Sequence, residues 1–184
     1  MLAVFVVEAN SKSKSDFMYI NKWLHSNFDI EPEDVVRAVY LDGKGNFNKP
    51  SVEKEIGNLK KKYRATSRRD KREVVFFCID TDDLSRTALA QDNLKELSEI
   101  ADYCKIRDYE LIWFHEVIEQ LFLGKRVSRN KKADEARMFV QKEFPNQLPG
   151  KFACENYNQC IIGSSNMGLV LSRHFTILHR KVLK

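Results

Sequence analysis

The chain has no GxxxxGK(S/T) loop, so any nucleotide hydrolysis that it serves belongs to another protein. It has only four cysteines, Cys78, Cys104, Cys154 and Cys160, with no CxxC pair, which excludes a zinc finger or ribbon. Cys154 and Cys160 are six apart, but all four read more simply as buried thiols. No apolar run reaches the roughly 20 residues needed to cross a membrane, and no signal peptide precedes the first strand-like segment. A cytoplasmic protein with reduced thiols and no membrane partner is expected. Repeats, low-complexity tracts and a domain break are also missing. One α/β domain over residues 1–184 is therefore expected, with a core at about 1–125 and a helical C-terminal extension at about 126–184.

What is present is a foldable, mildly basic chain. It is 43% hydrophobic and 31% charged, enough apolar matter for a real core, and its net charge of +5 permits anionic partners such as nucleic acid. Four apolar runs stand out: Leu2–Val7, Val35–Leu41, Val74–Ile79 and Tyr109–Phe114. Continuous rather than alternating hydrophobes mark strands covered on both faces. Helical spacing separates them. Phe17, Ile20, Leu24 and Phe28 recur on one face, as do Val52, Ile56, Leu59 and Tyr63, and an apolar stripe runs from about Ala88 to Lys105. Further helices are expected at 116–123, 133–144 and 167–174. Alternation of strand and helix predicts a three-layer α/β/α fold with a mainly parallel four-stranded central sheet and C-terminal helices.

Right-handed crossovers bring the carboxyl ends of parallel strands to one rim, where ligands bind in such sheets. That rim would carry Glu8, the Asp42-Gly43 turn, Asp80, Asp82, Asp83 and His115. Asp80 and Asp82 point the same way if strand conformation persists. Carboxylates crowded together repel, and a hard divalent cation relieves the repulsion. A solvated acidic loop capping the next helix is the competing reading. His115 fits a ligand or acid–base group, and equally a structural histidine. Lys12 and Lys14 lie in the loop after Glu8, which can present backbone N–H groups to an anion, although solvated lysines are the simpler reading. Lys44 follows the Asp42-Gly43 turn. The basic stretch 125–132, with Arg126, Arg129, Lys131 and Lys132, is placed to border the acidic rim.

A glutamate ending the first strand and an Asp-x-Asp ending a later one resemble the Toprim domain of topoisomerases, primases and several nucleases. The segment from Glu8 to Tyr19, and Tyr109-Glu110-Leu111-Ile112-Trp113-Phe114-His115 after the acidic motif, resemble the compact RloB-like, abortive-infection members. One departure is Ala9, where many members have glycine. The resemblance implies metal-dependent phosphodiester cleavage. Asp80 and Asp82 would hold Mg²⁺ or Mn²⁺, and Glu8 would act as general acid–base or as a further metal ligand. Lys12, Lys14, Lys44 and Arg126 are the expected contacts to a DNA or RNA substrate. Asp83 and His115 are further possible members of the site. The resemblance also implies phage defence or toxin action beside a separate ATPase. A non-catalytic nucleic-acid or protein-interaction module on the same fold is the alternative.

Overall fold

Leu2–Val7 (β1) is buried along its whole length, which requires a neighbouring strand on each edge and a helical layer on each face. A computed structural model of the chain supplies all four. It describes residues 1–66, 72–82, 88–142, 150–156 and 161–178, without the side chains of 88–90. Val35–Tyr40 (β3) and Glu73–Asp80 (β4) flank β1, and Glu110–Phe114 (β5) pairs with β4. The order is β3-β1-β4-β5, parallel throughout. A separate two-residue strand, Phe28–Asp29 (β2), belongs to a second, smaller sheet.

Alternate residues of β1 and β4 face opposite layers. Phe5, Val7, Phe76 and Cys78 pack on Ser15–Asn27 (α1), Ile118–Leu123 (α4), Lys132–Gln141 (α5) and Met167–Ser172 (α6). Val4, Val6, Val75 and Phe77 pack on Pro50–Thr66 (α2) and Ala88–Ile106 (α3). The architecture is thus the expected three-layer α/β/α fold. Aromatic rings fill the first layer: Phe5 stacks on Phe76, and Trp23 on Phe152. Cys78 and Cys104 are free and buried, as expected. Cys154 corrects that expectation, because it is disulfide-bonded and only half-buried. A sulfur in a half-exposed loop is open to a second thiol, as a core thiol is not. Cys160 lies outside the described residues. Among those residues, no helix is long and apolar enough to cross a membrane.

The C-terminal region departs from the expected run of helices. α6 stops at Ser172, and Thr176–Ile177 (β6) pairs antiparallel with β2. The turn buries Phe175 against Phe28 and Phe76. Residues 163–166 also act as a strand substitute on the free edge of β5. Asn166 accepts the Trp113 N–H on Oδ1 and donates from Nδ2 to the Leu111 carbonyl, both at 2.9 Å. Ser165 donates its hydroxyl to the Trp113 carbonyl at 2.6 Å. One amide side chain thus mimics a peptide unit and covers an edge that would otherwise template foreign strands. Asn166→Ala leaves two part-buried backbone groups unpaired, and a stability loss of about 1–3 kcal/mol is expected. A lowered urea midpoint would register it; an unchanged midpoint would show that the edge needs no such cover.

Candidate active site

The register of the sheet builds the site. Val7 is level with Cys78, so Glu8 lies beside Ile79, one residue short of Asp80. The Glu8 carboxylate crosses that step, and its Oε1 accepts the Asp80 backbone N–H at 2.6 Å. Asp80 Oδ1 accepts the Ile118 N–H at the start of α4, at 2.9 Å. Asp16, in the first turn of α1, accepts the Ala9 N–H on Oδ2 at 2.8 Å and the Ser15 hydroxyl on Oδ1 at 3.0 Å. Glu8 Oε2 and Asp80 Oδ2 have no hydrogen bond among the described residues. Both side chains line a polar cleft of about 370 Å³, together with Asp16, Asp42, Arg129 and Lys132.

Burial and crowding raise the pKa of each of these acids. Desolvation raises Glu8 from 4.5 to about 8, with Asp16 and Asp82 adding to the rise, while the Asp80 amide and Lys44 oppose it. Asp80 is pushed well above the carboxylate range by burial and then by Glu8, Asp16 and Glu119. Asp16 is raised by burial and by Glu119. The counter-charge is Lys132. Its ammonium stands 2.9 Å from Oε1 and 3.2 Å from Oε2 of Glu119, which is completely buried. Burial works to lower the Lys132 pKa, but Glu119, Asp80 and Asp16 raise it above its ordinary value.

The expected site residues divide into those brought together and those committed elsewhere. Glu8 and Asp80 meet in the cleft. Asp82 does not point with Asp80, because the strand ends at Asp80 and Asp82 takes a left-handed backbone, φ 55°. Its carboxylate is ion-paired with Lys44, which also reaches Glu96 at 3.2 Å. Lys44 is therefore engaged by protein carboxylates rather than open to a substrate. Arg126 is paired with Glu116 at 3.1 Å. Lys12 and Lys14 are exposed, and Lys14 caps α1 with φ 52°. The loop after Glu8 turns several amides inward: those of Lys12 and Ser13 bond the Asn10 side chain, and that of Lys14 bonds the Asn10 carbonyl. Asp42 takes φ 55° in its turn, as a turn residue should, and also lines the cleft. His115 is tied through its backbone to Gly163 and Ser164, and burial lowers its pKa. It does not line the cleft. Asp83 lies outside the described residues.

No family model, curated protein or solved structure matches the chain.

Sequence reasoning missed Asp16 and Glu119 as site residues and placed Lys132 only within a basic loop. Asp16 stands in the first turn of α1, where an acid is ordinary and signals no site. Glu119 carried a signal: it is an acid set among the apolar residues of a short helix. Its partner is 13 positions away across a turn. Among the described residues no three His, Cys, Asp or Glu side chains form a ready-made metal-holding group. The Glu8–Asp80 pair nonetheless fits Mg²⁺ or Mn²⁺ in donor chemistry, since one or two carboxylates with water complete such a site. Each carboxylate keeps one oxygen unbonded among the described residues, and their mutual repulsion is what a cation would relieve.

A pH effect on stability follows. Folded Glu8 holds its proton up to about pH 8, whereas the ordinary value is 4.5. The folded state therefore binds more protons than the unfolded state between those values, and Glu8 weakens folding as pH rises through that window. Glu8→Gln keeps an acceptor for the Asp80 amide and removes the charge. In metal-free buffer the variant should match wild type near pH 5. At pH 9 it should exceed wild type by on the order of 1–3 kcal/mol, measured by urea unfolding. Equal stability at both pH values would show that Glu8 titrates normally.

Proposed function

We propose that the protein is a metal-dependent phosphodiester-cleaving enzyme, a nuclease of Toprim type. The observation that supports this best is the Glu8–Asp80 pair: two carboxylates from adjacent parallel strands, joined through the Asp80 amide and open to a polar cleft at the carboxyl rim. Glu8 and Asp80 would hold Mg²⁺ or Mn²⁺, and Asp82 is the third ligand that the resemblance implies. The bound cation supplies charge stabilisation to the phosphate undergoing transfer. Glu8, poised near neutral pH, is suited to accept or return a proton. Lys132 keeps positive charge beside Asp80 and limits the repulsion that the pair must bear. The phage-defence setting and the separate ATPase rest on the resemblance alone.

A non-catalytic binding module is favoured by one observation, the pairing of Asp82 with Lys44, which leaves the Asp-x-Asp carboxylates unconverged. The two readings part at Asp80. Asp80→Asn keeps an oxygen to accept the Ile118 N–H, so the fold should survive. Cleavage of labelled single- and double-stranded DNA and RNA in Mg²⁺ should fall at least ~100-fold, the scale of losing a charge-stabilising group. Wild-type cleavage should stop in EDTA. Cleavage that persists in the variant or in EDTA would contradict the metal mechanism, and no cleavage by wild type of any substrate would favour the binding module.

A further inference from the structure

Several of the cations around the cleft are neutralised by the protein itself. Lys44 pairs with Asp82 and Glu96, Lys125 with Glu135, Arg126 with Glu116, and Lys132 with Glu119. Arg129 differs from these four. Its exposed side chain has neither an ion pair nor a hydrogen bond among the described residues. It also lines two clefts. One is the acidic cleft of about 370 Å³ with Glu8 and Asp80; the other, of about 460 Å³, contains Lys12, Tyr40 and Glu55. Asn10 and Asp42 line both as well, so the two hollows are contiguous and meet at Arg129. Each is large enough for a small-molecule-sized group.

We propose that Arg129 is the substrate-positioning residue of this site. It grips a backbone phosphate of a polynucleotide where the two clefts meet, with Lys12 contacting the chain further along the second cleft. This rests on the nuclease reading above. A guanidinium offers a planar fork of donors matched to phosphate oxygens, and a side chain with no partner among the described residues gives none of these up on binding. Asp42 and Glu55 line the second cleft too, so an anionic strand is tolerated there only beside the cations. That places the phosphate at Arg129 rather than deeper along the track. Tyr40 also lines the second cleft, and its aromatic ring is of the kind on which a base stacks. Arg129 thus takes the role expected of Arg126 and Lys44.

The test is fluorescence anisotropy of a short fluorescein-labelled oligonucleotide, DNA and RNA in turn, on wild type and on the Asp80→Asn background that leaves the probe intact. Arg129→Ala in that background should weaken binding about tenfold or more. It should also lower the slope of log affinity against log salt by about 1, the mark of one lost phosphate contact. Arg129→Lys should retain the slope and part of the affinity. Arg137→Ala, which removes an exposed arginine paired with Asp134 outside both clefts, should change neither. If Arg129→Ala binds as its background does, or if Arg129→Ala and Arg137→Ala weaken binding equally, the assignment is overturned while the nuclease reading stands. If wild type and Asp80→Asn both fail to bind any oligonucleotide, the nuclease reading falls and the assignment with it.

Discussion

The hydrogen bond from the Asp80 amide to Glu8 Oε1 joins the carboxyl ends of the two central strands, and the site is built around it. Parallel pairing brings the two ends level, and the one-residue offset between Glu8 and Asp80 puts a carboxylate within reach of a backbone donor. The same bond holds two acids in one partly desolvated space. Desolvation and mutual repulsion then push both upward in pKa, Glu8 to about 8. A cleft in that condition is short of positive charge.

Part of the deficit is met from within. Lys132 at the start of α5 is anchored by Glu119, which α4 carries into the interior. Asp80 accepts from the first amide of α4, and Asp16 from Ala9 beside Glu8. The network thus connects β1, β4, α1, α4 and α5 through the floor of the cleft. A buried ion pair of this kind adds little to stability, because desolvation offsets most of the attraction. Its evident effect here is on the charge balance of the carboxylates. On the other side of the rim, Lys44 draws Asp82 away toward Glu96, so the acidic rim divides into a paired half and an open half.

The fold was legible because buried parallel strands show as continuous apolar runs, and four of them were separated by helical spacing. Glu8 and Asp80 were legible as the first charged residues after two of those runs. The missed features depend on tertiary placement. Asp82 has the right spacing to join Asp80, but its left-handed backbone turns it to Lys44, and nothing local in the sequence announces that. Glu119 and Lys132 belong together only after the chain has turned between α4 and α5. Asn166 looks like a helix cap, and only its place beside β5 makes it an edge cover. Among Arg126, Arg129 and Lys132, composition ranks none above the others; their partners do. Cys154 likewise differs from Cys78 by its exposure in a loop, not by its spacing.

The most direct test of the site is calorimetric titration of Mg²⁺ and Mn²⁺ into wild type and Asp80→Asn, each with and without a phosphorothioate oligonucleotide that resists cleavage. Saturable binding by wild type that Asp80→Asn loses is expected, with the oligonucleotide tightening it. Equal binding by the two proteins, or no binding by wild type even with the oligonucleotide present, would contradict a metal site at the Glu8–Asp80 pair.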